Sequence, residues 1–259
     1  MSYNPPSSLF QMNARPEKPG SAESRFASTH WSVVLAAAQT HSPEAFEALE
    51  GLCATYRYPL YAYLRRKGYS THEAEDFTQE FFAQRVVTKL IFRGMSADHG
   101  KFRTWLLSSL QNLLCNEWDR RHAQKRGGDQ QHVPLDLQDA EGRYLVEPAH
   151  DLTPEKIYDR MWAMTLLENA LRELGENYER TGKTGLFSEL KCFLPGALSS
   201  RPYADVAARL GKSEEAVKVA VSRLRQEYGR AVKDQIKRTV SKPEEVQTEL
   251  SYLLAVLGE

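Results

Sequence analysis

A chain of 259 residues with 41% apolar and 10% aromatic residues has enough material for packed cores, which excludes a disordered polymer; its length admits one large domain or two small ones. Its 34 basic residues are balanced by 34 acidic ones, so a uniformly basic coat for nucleic acid is excluded as well. Local patches are not.

Residues 1–28 are rich in Pro, Ser and Gly ("NPPSS", "RPEKPGSAES") and read as a disordered tail. "STHWSVVLAAAQT" opens the ordered part, with Ser28 or Thr29 placed to cap a short helix carrying Trp31, Val34 and Leu35. "SPEAFEALEGLCATYRYPLYAYLRRKGY" starts a longer helix. Its Ser-Pro-Glu supplies a cap and a first-turn proline, and Phe46, Leu49, Leu52 and Cys53 recur at three- and four-residue spacing. Gly68 ends that pattern, and Ser70 or Thr71 caps the helix of "HEAEDFTQEFF". After the loop "FRGMSADHG", Phe102, Leu106, Leu110, Leu113 and Leu114 form a helical stripe in "KFRTWLLSSLQNLLCNEWDRRHAQKR". Residues 129–154 lack periodicity and read as a flexible acidic linker. "TPEKIYDRMWAMTLLENALREL" restarts a helix with Thr-Pro-Glu, "RTGKTG" breaks it, and "LFSELKCFL" adds a turn or two. "PGALSSRP" connects to "YADVAARLGKSEEAVKVAVSRLRQEYG". In 239–259, Val246, Leu250, Leu253, Leu254 and Leu257 share one stripe of an amphipathic helix, expected to pack back on the domain before it or to meet a partner. No alternating β-pattern and no repeat is present. The predicted fold is all-α: two small helical domains, 29–128 and 155–238, joined by the acidic linker.

Charge is segregated along this chain. Residues 101–128 hold six bases against two acids, 197–240 ten against five, and 129–159 two against eight. Three stretches stand out.

In the first, Tyr203, Val206, Ala207 and Leu210 make an apolar face, Gly211 fits a turn, and Ser213 caps a second helix with Glu214 and Glu215 in its first turn. Val217, Ala220, Val221, Leu224 and Tyr228 face the core, which leaves Lys218, Val219, Ser222, Arg223 and Gln226 outside. This is the helix-turn-helix arrangement for major-groove entry. An ordinary helical hairpin with a solvated face is the plain alternative; spacing, turn, cap and local charge together favour DNA.

In the second, Phe102, Arg103, Thr104 and Trp105 stand near Asn112, ahead of a basic run that includes Arg120 and Arg121. Stacking rings, an amide and cations are what single-stranded DNA needs. Taken alone, Trp105 and Trp118 at helical spacing read as core. In the third, Ala74, Phe77 and Phe81 bury one helix face while Glu73, Asp76 and Glu80 line another. Gln79, Phe82 and the lack of compensating bases suggest a protein-binding surface rather than a merely solvated one.

These stretches, in their order along the chain, resemble the sigma-70 family of RNA polymerase sigma factors, in its short two-domain extracytoplasmic-function type. "AEDFTQEFF" is similar to the family's Asp-Ala-Glu-Asp-Leu-Thr-Gln-Glu-Val-Phe stretch, which docks on the clamp helices of the polymerase β′ subunit. "GKFRTWLLSSLQNLLCNEWDRR" is similar to the region that melts and reads the −10 promoter element, and "YADVAARLGKSEEAVKVAVSRLR" to the helix-turn-helix that reads the −35 element. The resemblance spans about residues 30–128 and 155–238. It implies a sigma factor whose partners are core RNA polymerase, through its β′ clamp helices and β subunit, and promoter DNA. Glu73, Asp76, Gln79, Glu80 and Phe82 would then meet the polymerase. Phe102, Arg103, Thr104, Trp105, Asn112, Arg120 and Arg121 would meet −10 DNA, with Asn112 lining the pocket of a flipped base. Lys212, Lys218, Val219, Ser222, Arg223 and Arg225 would meet the −35 duplex. The linker would run through the polymerase near the nascent RNA, and an anti-sigma regulator is a further partner such a chain can have. One departure is the long "NYERTGKTGLFSELKCFLPGALSSRP" before the helix-turn-helix, which predicts an enlarged first hairpin in that domain.

Catalysis is not expected. The Gly-Lys-Thr of "TGKTG" lacks the earlier glycine and preceding strand of a phosphate-binding loop, and His72-Glu73 lacks the second histidine of a zinc-protease helix. Cys53, Cys115 and Cys192 are scattered within apolar patterns and read as reduced packing residues, and no Cys/His pair has metal spacing. Neither a cofactor nor a metal is expected. No apolar run approaches the ~18–20 residues of a membrane span, and the N-terminus lacks the apolar core of a secretory signal, so the expected location is cytoplasmic. The competing reading is a helix-turn-helix regulator that binds duplex operators without polymerase, which needs neither the acidic helix nor the melting-type segment.

Overall fold

The structure, a computed structural model, describes residues 43–83, 101–123, 152–195, 201–240 and 242–258, without the side chains of residues 43–50, 52 and 116–123. The N-terminal tail, the short helix expected around Trp31, the loop before Lys101 and most of the acidic linker lie outside the described residues. So do the side chains of Phe46, Leu49, Leu52, Trp118, Arg120 and Arg121. Every regular element among the described residues is helical, and none is a strand. No helix among them is long and apolar enough to cross a membrane.

The helices are α1 (Pro43–Arg66), α2 (Thr71–Phe81), α3 (Phe102–Ala123), α4 (Pro154–Arg180), α5 (Thr184–Leu190) with a 3₁₀ turn at Lys191–Phe193, α6 (Tyr203–Leu210), α7 (Glu214–Lys237) and α8 (Glu245–Gly258). They form two compact units, the first made of the described residues of Ser28–Thr165 together with Ile236–Leu257, the second of Leu166–Gln235. The division falls inside α4 and α7 rather than at the sequence boundaries of 155 and 238.

In the first unit, α1 is the central helix. Tyr56 and Leu60–Leu64 are wholly buried, so this stretch is covered on every side, as expected of a helix that is apolar all round. The half-buried Cys53 lies at the edge of that core. Gly68 closes α1 with Gly68 N–H on the Arg65 carbonyl (3.1 Å) and Tyr69 N–H on that of Leu64 (3.2 Å). Ser70 then caps α2 through a capping box with Glu73. Phe102, Leu106, Leu110, Leu113 and Leu114 bury the stripe of α3, as their spacing predicts. Thr153 caps α4, its Oγ1 accepting from Lys156 N–H at 3.3 Å, with Pro154 at the first helical position.

The second unit is built on the rest of α4, which buries Leu166, Ala170, Leu174 and Tyr178. Its "TGKTG" run is a helix-ending turn. Lys183 N–H donates to the Tyr178 carbonyl (2.8 Å) and Gly182 N–H to that of Glu179 (2.9 Å), so the glycine serves helix closure. The added segment α5 and its 3₁₀ turn pack on α6: Phe193 stacks on Tyr203 with ring centres 4.5 Å apart. Glu189 receives both Arg201 (3.1 Å) and Arg209 (3.6 Å).

The C-terminal helix corrects one expectation. It belongs to the first unit, not to the unit carrying the helix-turn-helix pair. The reason is electrostatic as well as apolar. Leu250 and Leu253 are buried, and Glu249, buried between them and the rest of the unit, meets Arg103 Nε at 2.6 Å and Lys101 Nζ at 2.6 Å.

Candidate nucleic-acid interface

The α6–α7 pair is organised by its turn. Gly211 takes a left-handed φ of 61°, which a side chain would resist, and Lys212 N–H closes α6 on the Ala207 carbonyl at 3.0 Å. Ser213 caps α7, its Oγ accepting from Ala216 N–H at 3.2 Å. One face of α7 is then fixed by burial of Val217, Val221, Leu224 and Tyr228. Tyr228 Oη donates to the Leu167 carbonyl at 3.3 Å and Tyr178 Oη donates to Glu227 at 2.8 Å, pinning α7 to α4. Burial and then the Glu227 carboxylate push the Tyr178 phenol up to about 12.

The opposite face presents Lys218, Val219, Ser222 and Arg223, all exposed, with Lys212 exposed at the turn. Val219 is 52% exposed, the large apolar side chain most open to solvent among the described residues. Arg223 and Lys212 have no ion-pair partner among the described residues, while Lys218 lies 3.9 Å from Glu215. Arg225 is half-buried, and its guanidinium is engaged away from solvent. Its Nε and Nη2 both donate to the Phe193 carbonyl, at 3.1 and 3.0 Å, so its fork ties α7 to the 3₁₀ turn.

The second group divides in the same way. Thr104 and Asn112 are exposed on α3 and Trp105 is half-buried, its ring stacked on Phe102 at 5.9 Å. Phe102 itself is buried against Tyr56, edge to face at 5.0 Å. Arg103 is a core residue, not a DNA-facing one. Its guanidinium pairs with Glu249 (2.6 Å) and Asp159 (2.9 Å) and lies over the rings of Tyr252 (3.9 Å) and Trp162 (5.0 Å). The Tyr158 hydroxyl donates to the Arg103 carbonyl at 3.0 Å, and that of Tyr252 to Asp159 at 2.7 Å. Burial works against the guanidinium charge; the hydrogen bond and charge of Glu249 and the charge of Asp159 overcome it and hold Arg103 more firmly protonated than usual. With Lys101, the cluster sets two cations against two carboxylates.

On α2, Asp76 is exposed and has no ion-pair partner among the described residues. Glu80 is half-buried, and half-buried Gln79 donates to Glu75 at 2.9 Å. Glu73 is exposed, but its carboxylate is engaged by the Ser70 N–H (3.0 Å) and hydroxyl (2.7 Å), so it serves the cap first. Phe82 is buried, edge to face with Phe81 at 5.5 Å and beneath the Arg57 guanidinium at 5.6 Å. It extends the Phe77–Phe81 stripe inward and offers no docking surface.

Among the described residues no group of three His, Cys, Asp or Glu could hold a metal. The chain matches no family model, no curated protein and no solved structure.

Proposed function

We propose that this chain is a sigma factor: it binds core RNA polymerase and directs initiation by reading −35 duplex DNA with α7 and opening the −10 element with α3. The observation that carries the reading is the outward face of α7. A helix fixed by burial of Val217, Val221 and Leu224 turns Lys218, Val219, Ser222 and Arg223 to solvent behind a glycine turn. That set mixes a cation that can hold phosphate with the hydrogen-bonding and apolar groups that read base edges in the major groove. The exposed Asp76 of α2 supports a docking face for the polymerase, and exposed Thr104 and Asn112 with the half-buried Trp105 support a −10 contact. The reading needs no catalysis and no cofactor.

A helix-turn-helix regulator acting without polymerase is the second reading. The burial of Phe82 and Arg103 favours it, because it removes two residues from the polymerase and −10 sets while leaving α6–α7 intact. Binding to core polymerase in the absence of DNA separates the two. A sigma factor co-elutes with core as a stoichiometric complex; a regulator elutes alone.

A further inference from the structure

Within the reading face of α7, one side chain has no polar role. Val219 is 52% exposed, and the helical period places it on one ridge with Ser222, Arg223 and Gln226, at steps of three, four and seven residues. All three neighbours are exposed hydrogen-bonding groups. A single exposed apolar residue is ordinary on a protein surface and means nothing alone. The place gives this one its meaning. A β-branched residue is a poor choice for a solvated helix position, since its restricted side chain lowers helix propensity relative to alanine. Here it is flanked by Lys218 and, one turn on, by Arg223.

The floor of the DNA major groove is almost wholly polar. Its one apolar feature is the C5 methyl group of thymine. We propose that Val219 recognises that methyl group, and so makes a thymine a required base of the site this protein reads. The inference rests on α7 binding duplex DNA, which both readings of the function share. Four residues of helix rise about 6 Å. At about 3.4 Å per base step, the thymine therefore lies about two steps from the base that Arg223 contacts. With Arg223 on a guanine, the protein reads a thymine and a guanine separated by about one base pair. The same methyl is carried by 5-methylcytosine, so the contact must be tested against that base as well.

The test starts from duplexes selected out of a randomised library by the full-length protein, alone and with core RNA polymerase. Each thymine of the selected site is replaced in turn by deoxyuridine, which removes the methyl and keeps every hydrogen bond. At one position affinity should fall about fourfold, the effect of one buried methyl group. In Val219→Ala that ratio should drop to about one, with other thymines unaffected. In Val219→Thr, which keeps the shape but adds a hydroxyl, it should fall between. Sequence-selective binding with no deoxyuridine effect at any position would overturn the inference and leave DNA reading by α7 standing. A deoxyuridine effect that persists in Val219→Ala would assign the methyl to another residue. Tighter binding to 5-methylcytosine than to thymine at that position would overturn the thymine assignment. Absence of any selected duplex would sink the inference together with the functional reading beneath it.

Discussion

Breaking the Arg103–Glu249 contact should damage the first unit more than any surface change. Arg103 side-chain exposure is 7% and that of Glu249 is 3%, so neither charge can turn to water once its partner is gone. Removing one member of a buried pair typically costs about 3–5 kcal/mol. For Arg103→Met the lower end is expected, about 3 kcal/mol by that rule, because Lys101 still lies 2.6 Å from Glu249 and Asp159 still accepts from Tyr252. Glu249→Met should cost a similar amount, since Arg103 keeps Asp159 alone. Replacing both by methionine removes the uncompensated charge, and buried pairs so replaced are often neutral. The double variant should therefore be more stable than the sum of the singles implies, by about 2–3 kcal/mol. Urea unfolding followed by tryptophan fluorescence suits the measurement, because Trp162 lies directly beneath the guanidinium at 5.0 Å. Additive single effects, or an unchanged midpoint for Arg103→Met, would refute the claim that the tail is fastened by this pair. Deleting residues 243–259 should lower the midpoint as well, since it uncovers Arg103 and the faces against Leu250 and Leu253.

Three other outcomes follow from the surfaces and from one tyrosine. Asp76→Lys should weaken binding to core polymerase while moving stability by no more than about 0.5 kcal/mol; unchanged affinity for core would remove Asp76 from the docking surface. Arg223→Ala should cost about 1–3 kcal/mol of DNA binding and relax preference at one base pair, whereas Lys212→Ala should weaken all sequences alike and lower the salt slope by about one. A uniform loss for Arg223→Ala across site variants would make it a phosphate contact instead. The Tyr178 phenol is raised from its usual 10.0 to about 12, so its contribution is complete below pH 10 and is lost as pH rises toward 12. Tyr178→Phe should therefore show a shallower fall in urea midpoint between pH 10 and 12 than the natural chain, and an identical slope would discount the Glu227 bond.

Local signals in the sequence carried most of the helical frame. Ser70 with Glu73, Thr153 with Pro154, and Ser213 after Gly211 are short-range devices, and each starts or ends a helix where its spacing predicts. The α3 stripe is legible for the same reason. What stayed hidden is long-range. Arg103 lies three residues before Leu106 and seven before Leu110, on the apolar stripe itself, yet its charge argued for DNA. Glu249 occupies the matching position in the tail, three residues after Val246 and one before Leu250. A base on one stripe and an acid on another are complementary, but 146 residues separate them, and nothing local says that they meet. The acceptor of Arg225, the Phe193 carbonyl 32 residues earlier, was hidden for the same reason. The exposure of Lys218, Val219, Ser222 and Arg223 on α7 was legible because it follows from the helical period alone.

Transcription in vitro with purified core RNA polymerase and this chain, on a library of randomised promoters, decides between a sigma factor and a regulator that acts alone. Transcripts should appear only when both are present. Their start sites should lie downstream of a shared two-part sequence, and Arg223→Ala should alter the upstream part alone. Core polymerase that gains no initiation from the chain, while the chain still binds a duplex sequence by itself, would contradict the sigma-factor reading and leave a helix-turn-helix regulator in its place.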